Sequence, residues 1–462
     1  WYQALSINAT GSDSHSGVSS IKYCTTTSST CTPSTNVNGS NTTVKLNSNK
    51  SAQRVCAQAT DTAGNTSTTT CSSAYSVDTT NPTVSITSTS VTKNSISVTV
   101  SGSDSHSGIY QYKFSSNNGS SYTTVSSTNN SYTYTFNNLK AGTTYTIAVQ
   151  SVDKSGRVSN KVTRSVTTEQ ASRTMQTIIA GYNKGNRGSF SSAYTTTTTN
   201  TVFTTTDWKG TSYYFAGNPT DNWVRFGGFY WRIVRVNGDG SVRLIYNGNS
   251  TTTTGTGTLI NNGSSQVFNS KYHRSEYVGF KFATGQQHAQ TTDSPILDTL
   301  QSWYSSSGLS ATQYSQYIDT SVGFCSDRNM ASGSSWSSQP LSPIYYAAYG
   351  RLITNKSPSL ACSSNDIIAE PVGLITADEV SFAGGGNFNN TSYYLYNNQV
   401  YWTMSPFGYS SYASVFAVNS NGYLDHWQVH YTVSGVRPVI NLKATTRFEG
   451  SGTTSDPYVV AS

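Results

Sequence analysis

A seven-residue string occurs twice without change. Gly11-Ser-Asp-Ser-His-Ser-Gly17 recurs as Gly102-Ser-Asp-Ser-His-Ser-Gly108, 91 residues further on. A second echo closes each copy: Asp61-Thr-Ala-Gly-Asn-Thr-Ser67 against Asp153-Lys-Ser-Gly-Arg-Val-Ser159. A period near 90 residues is too long for a solenoid, whose repeats run to about 50 residues. It suits a β-sandwich of about 100 residues. Composition agrees with that reading. Only 11% of the 462 residues are charged, against roughly 25% in an average soluble protein. Thr, Ser, Asn and Tyr must therefore supply the polar surface, and they favour strands and turns.

The second copy shows its strands by alternation. Thr83-Val-Ser-Ile-Thr, Ser95-Ile-Ser-Val-Thr-Val-Ser101, Tyr132-Thr-Tyr-Thr-Phe136 and Tyr145-Thr-Ile-Ala-Val-Gln150 place apolar residues at every second position, with Gly-containing turns between them. The first copy opens on Trp1-Tyr-Gln-Ala-Leu, which reads as a strand already under way, so further sequence, including any secretion signal, is expected upstream. The Asp-Thr-Thr-Asn-Pro82 run joins the copies, and Pro82 disfavours helix before it. A second linker is expected over residues 167–172. Short linkers make a semi-rigid stalk.

Six cysteines fall into three close pairs, Cys24/Cys31, Cys56/Cys71 and Cys325/Cys362. Six allow 15 connectivities, and local pairing is the expectation taken. No C-x-x-C is present, and paired cysteines in a Thr/Ser-rich β-protein fit an oxidising, extracellular compartment. The net charge of +7 is spread along the chain. No basic stripe appears, so no nucleic acid is expected as partner. No apolar run of about 18–20 residues would insert in a membrane.

From about residue 173 the pattern changes to mixed α+β. Trp223-Val-Arg-Phe-Gly-Gly-Phe-Tyr-Trp-Arg-Ile-Val-Arg-Val236 reads as strand-turn-strand, followed by a strand at Val242-Arg-Leu-Ile-Tyr246. Ser294-Pro-Ile-Leu-Asp-Thr-Leu-Gln-Ser-Trp-Tyr304 reads as a helix capped by Ser294, with Ile296, Leu300 and Trp303 on one face. Thr376-Ala-Asp-Glu379 has capping-box spacing. The Thr-rich residues 195–206 are expected to form a loop or irregular edge.

Two resemblances sharpen this outline. Residues 134–149, with Leu139 and Tyr145 around Ala141-Gly142, resemble the fibronectin type III pattern. Phe229-Tyr-Trp-Arg-Ile-Val-Arg, Phe324-Cys-Ser-Asp-Arg328, Gly373-Leu-Ile-Thr-Ala-Asp-Glu-Val380, Tyr401-Trp-Thr-Met-Ser-Pro406 and Gly435-Val-Arg-Pro-Val-Ile-Asn-Leu442 resemble surface-protein modules common in gut Firmicutes. Those modules are similar to the C-type-lectin-like fold of formylglycine-generating enzymes and of variable proteins diversified by retroelements. The architecture this implies is two Ig-like or fibronectin III-like β-sandwiches (residues 1–79 and 80–168) followed by an α+β C-type-lectin-like domain (173–462).

No enzyme is expected. Formylglycine-generating enzymes rely on cysteines late in the fold, whereas the last cysteine here is Cys362. No Gly-x-Ser-x-Gly elbow, His-Glu-x-x-His helix or P-loop appears. His426 and His430 have i, i+4 spacing, but their surroundings alternate like a strand, so neither a metal nor a cofactor is expected. The Asp13 and Asp104 loops offer few carboxylates for calcium and read as Asx-type turns. Trp402 and the Gly435-to-Leu442 segment read as core, Arg437 as a structural carbonyl-binding or ion-paired arginine, and Asp327-Arg328 as satisfying local backbone.

The expected site lies between these buried flanks, over residues 407–431. It comprises Tyr409, Ser410, Ser411, Tyr412, Ser414, Asn419, Asn421, Tyr423, Asp425, His426, Trp427, Gln428, His430 and Tyr431. Tyr and Trp supply large contact area at low entropic cost, and Ser and Asn supply adaptable hydrogen bonds, as in paratopes. In the retroelement-diversified relatives this stretch carries the variable positions. The expected function is display or adhesion at a bacterial cell surface, with a protein or glycan ligand on another cell or phage. The alternatives are a structural subunit that pairs with copies of itself and a carbohydrate-binding accessory module.

Overall fold

The computed structural model describes residues 1–461. The chain is mostly β and divides into two compact units, one ending at Ala171 and the other beginning at Ser172.

Both repeats lie in the first unit, and each builds two sheets. In the first repeat Leu5–Thr10 pairs with Asn41–Leu46. Against them lies a sheet ordered Thr35–Asn38, Val18–Thr26, Lys50–Asp61, Thr70–Cys71, with Tyr75–Val77 also on Lys50–Asp61. The core between is thin: Val44, Leu46, Val55 and Val77 are buried, with Leu5, Ile7, Tyr23 and Tyr75 packed on them. Two disulfides, Cys24–Cys31 and Cys56–Cys71, supplement it. Cys56 and Cys71 stand directly opposite each other across two strands. In the second repeat a three-stranded sheet (Ser131–Phe136, Ile96–Ser103, Thr83–Val91) faces a four-stranded one (Thr123–Ser126, Ile109–Ser115, Thr144–Asp153, Val162–Thr167). Its core is larger and aromatic, with Tyr112, Phe114 and Phe136 among Ile96, Val98, Val100 and Ile147. The Tyr145 hydroxyl accepts from the Lys140 N–H at 2.9 Å, the corner bond typical of Ig-like sandwiches.

The duplicated loops are carboxylate-centred turns. Asp13 accepts from the backbone N–H groups of His15, Ser16 and Gly17. Asp104 does the same for His106 and Gly108. Gly17 and Gly108 close the turns at φ 76° and 79°, where a side chain would be strained.

The second unit surrounds one large core, with a smaller cluster of Phe203, Tyr214, Ala216, Leu360 and Phe382 beside it. A ten-stranded sheet contains Trp223–Phe226, Phe229–Val236, Val242–Tyr246 and Val439–Leu442. A four-stranded sheet runs Ile344–Tyr345, Tyr401–Tyr409, Ala413–Val418, Leu424–Gln428. The helix Pro295–Ser306 buries Ile296, Leu297 and Leu300. The helix Ala377–Ala383 opens with the complete Thr376/Glu379 capping box. Cys325 and Cys362 are joined. Two expectations need correction. Ser294 does not cap its helix through its side chain, because the hydroxyl donates to the Phe280 carbonyl at 2.7 Å. Within residues 195–206 a regular strand begins, Thr201–Asp207, because pairing to Gly210–Tyr214 satisfies its backbone.

A buried ion network ties the helix Ala377–Ala383 to the large sheet. Arg235 donates to Glu379 at 2.9 Å and to Asp207 at 2.8 Å, and Arg243 Nε lies 2.6 Å from Glu379. All four side chains are at most 2% exposed. Burial raises the Glu379 carboxyl, but Arg243 and Arg235 outweigh it and hold the group below its ordinary 4.5. A depressed carboxylate contributes stability above its unfolded value and loses it as pH falls. Glu379→Gln leaves two arginines buried with less compensation and should cost about 3–5 kcal/mol, read as a lower urea midpoint for the second unit at pH 7. The difference between wild type and variant should shrink as pH drops below 4.5.

Candidate functional site

The frame of the expected site is buried as its sequence suggests. Trp402 is inaccessible, and its indole N–H donates to the Gln266 carbonyl at 2.8 Å. Arg437 is spent on structure: it donates to the carbonyls of Tyr246 and Leu395 and to the Asn247 side chain at 2.8–2.9 Å. Between these anchors the chain runs down Tyr401–Tyr409, turns, returns along Ala413–Val418, turns again and leaves by the edge strand Leu424–Gln428. Ser411 makes the first turn possible by adopting φ 72°. The 14 expected residues separate into two neighbourhoods and one buried position.

An aromatic neighbourhood gathers at the first turn. The His430 ring lies 4.1 Å from Tyr272, 4.7 Å from Tyr431 and 5.7 Å from Tyr412, centroid to centroid. Tyr272, Tyr412 and Tyr431 remain 36%, 41% and 39% exposed. Tyr409 is half-buried beside them and donates to the His273 carbonyl at 3.2 Å. Burial raises its hydroxyl above the ordinary value, so it stays a donor at neutral pH. Ser410 and Ser411 are exposed in the turn. Tyr272 was not among the expected residues. It lies far away in sequence and is fixed here by its carbonyl, which accepts from Ala413 N–H at 2.8 Å.

A polar neighbourhood forms at the second turn and along the edge strand. Asn419 donates to Asp425 at 3.0 Å and accepts from the Trp427 indole at 3.2 Å. Asn421 donates to Asn389 at 2.9 Å, and Tyr423 bonds to Asn387. His426 lies flat on Phe407, centroids 3.6 Å apart and planes 4° from parallel. Burial lowers its pKa against the opposing pull of Asp425, so the ring is neutral at pH 7. Gln428 is half-buried at the strand end. His426 and His430 engage different aromatic partners and, among the described residues, share no metal-ligand group. Ser414 corrects the expectation: it is only 9% exposed. Its strand is central in the sheet, paired on both sides, and buried along its whole length.

A second convergence of charged groups was not foreseen. Arg351 bridges Asp378 at 2.7 Å and Asp327, beside a cavity of about 20 Å³ that Arg235, Arg243 and Glu379 also line. Burial pushes Asp327 up to about 6 despite Arg351, and neighbouring Asp378 adds to the rise. Asp327 pairs with Arg351 instead of the local backbone. Arg328 does bind backbone, but not locally: its guanidinium donates to the carbonyls of Lys281, His288 and Ala289, distant in sequence, and pairs with Asp366. Room for about one water suits a structural ion cluster rather than a substrate pocket.

No family model matches the chain, and no curated protein matches it. Over 36% of its length it is similar to the fibronectin(III)-like modules of Clostridium thermocellum CbhA, with 18% identity, 86% of that chain covered and a TM-score of 0.23. Over 36% it is also similar to the FN1-FN3 domains of chicken CNTN1, with 20% identity, 62% of that chain covered and a TM-score of 0.22.

The two neighbourhoods should respond differently to truncation. Asn419→Ala removes both the Trp427 and the Asp425 bond, and at about 0.5–1.5 kcal/mol each should destabilise the second unit measurably in urea. Tyr412→Ala, at an exposed ring, should shift the urea midpoint much less.

Proposed function

We propose that this is an extracellular binding protein. Its first unit acts as a stalk, and its second unit, of C-type-lectin-like type, presents the Tyr272, Tyr412, His430 and Tyr431 surface to a protein or glycan on another cell or phage. The observation that carries this reading is the ring of three part-exposed tyrosines around one histidine. Such side chains offer apolar faces and polar tips with little rotamer entropy to lose, as binding surfaces require. Ser410 and Ser411 extend this surface at the first turn. Asn421, Tyr423, Asp425, His426, Trp427 and Gln428 extend it along the edge strand, held there by hydrogen bonds and stacking. Tyr409 and Asn419 position their neighbours. The Asn, Ser, Tyr and His content of this stretch suits a diversified surface.

The cysteines support an extracellular compartment. All six are in disulfides, which persist in oxidising surroundings. No helix among the described residues is long and apolar enough to cross a membrane.

A second reading, a structural subunit that pairs with copies of itself, is favoured by one feature. Leu5–Thr10 pairs on one side only, and Ile7 and Ala9 face a cleft shared with Ile21, Val55, Ala57 and Ala59. Unpaired edges of this kind accept strands from other chains.

Two measurements test these readings. On a glycan array and on fixed bacterial cells, Tyr412→Ala/Tyr431→Ala should bind at least tenfold more weakly than wild type. Tyr110→Ala, an exposed tyrosine of the first unit, should bind normally. Equal binding by all three proteins would remove the proposed surface. Sedimentation velocity at micromolar concentration should show a single monomer, whereas concentration-dependent chains of subunits would favour the structural reading.

A further inference from the structure

Three carboxylates that the sequence keeps far apart meet inside the first unit. Asp78 belongs to the segment joining the two sandwiches. Asp104 lies in the duplicated heptapeptide of the second sandwich, and Asp153 ends the strand Thr144–Asp153. One oxygen from each lies within 4.8 Å of the other two. Asp78 and Asp153 are fully buried.

The way each carboxylate is held matters most. Asp104 uses Oδ2 to accept the N–H groups of His106 and Gly108, while its Oδ1 is buried without a hydrogen-bond partner. Asp153 uses Oδ1 to accept the N–H groups of Ser155 and Arg157, while its Oδ2 is likewise buried and unpartnered. Asp78 accepts from Thr80 N–H on Oδ1 and Ser107 N–H on Oδ2, which leaves lone pairs on both atoms. Backbone turns thus hold the three carboxylates within reach of one another, and two of their oxygens are buried without a donor. Buried charge without a partner is strongly disfavoured.

No lysine or arginine among the described residues supplies the missing positive charge. Arg157 donates to the Asp78 carbonyl and the Asn81 side chain. His106 Nδ1 is 4.0 Å from Asp78 Oδ1. Among the described residues no lysine or arginine forms an ion pair with any of the three acids.

We propose that Asp78, Asp104 and Asp153 hold a calcium ion that clamps the segment between the sandwiches to the second one. Calcium accepts all-oxygen ligands at about 2.3–2.6 Å, so oxygens around it stand up to about 5 Å apart, as here. Hard carboxylate donors select calcium or magnesium over softer metals. Magnesium prefers to keep several waters, and three converging carboxylates suit calcium better. The first sandwich contains its own control. Asp13 and Asp61 occupy the matching positions and line one surface depression, yet among the described residues no third acid joins them.

The test is isothermal titration of CaCl2 into the EDTA-treated, dialysed full chain, with thermal unfolding in parallel. One calcium should bind, and the transition of the first unit should move up by several degrees. Asp104→Asn and Asp153→Asn should each weaken binding at least tenfold, while Asp13→Asn titrates as wild type. Asp104→Asn sits on a part-exposed loop, and its circular dichroism spectrum should match wild type, so a folding failure of the buried Asp153 variant would not blunt the test. Absence of calcium heat and of any thermal shift, unchanged affinity in Asp104→Asn, or tighter binding of MgCl2 would each overturn the proposal.

Discussion

A carboxylate withdrawn from water must be met by N–H donors or by positive charge, and this molecule is organised around that demand. With only 11% charged residues, it has few acids, and it places many of them where they do structural work. Asp104 and Asp153 each gather the backbone N–H groups of a turn, as Asp13 and Asp61 do at the surface. Asp366 locks Arg328, whose guanidinium collects three carbonyls. Glu379 joins two arginines of the large sheet to the helix it caps. The exception is the Asp78–Asp104–Asp153 group, where the donors run out before the lone pairs do.

The two sandwiches and the second unit solve the stability problem differently. The first sandwich has a thin core and two cross-links, as small disulfide-tied domains do. The second relies on aromatic packing, with Phe114 stacked on Tyr134 at 4.7 Å and Tyr134 edge-on to Phe136. The second unit has enough core to bury arginines outright. That rigidity bears on recognition. The turn carrying Tyr412 is anchored by buried strands on both sides, so its side chains are presented in one arrangement and lose less entropy on binding.

The two neighbourhoods of the candidate site illustrate how adjacent stretches of one hairpin region take different roles. Residues 409–412 and 430–431 are ring-rich, with little side-chain hydrogen bonding among them, and three of their rings and Tyr272 meet side by side in solvent. Residues 419–428 combine asparagines with aromatics, and their polar atoms bond one another. There Asn419 acts as a hub and His426 is a neutral plate on Phe407. The first is an unsatisfied, accessible surface; the second is largely a satisfied edge.

Local signals in the sequence were decisive wherever the physics is local. Period-2 alternation marks the strands of the second repeat, Thr376 and Glu379 mark a capping box three residues apart, and glycine after Asp-Ser-His-Ser marks a turn that needs positive φ. Close spacing also sufficed to pair the cysteines. Tertiary structure alone decided the rest. Ser414 became buried because its strand is central, Tyr272 joined His430 across a long stretch of chain, and Thr201–Asp207 became regular because a neighbouring strand offered its backbone partners. Asp78 could not be tied to Asp104 and Asp153 from spacing, since their meeting depends on how a linker folds back on two separate loops. Burial and convergence are properties of surfaces brought together by the whole fold, and a one-dimensional pattern encodes them only through the elements it builds.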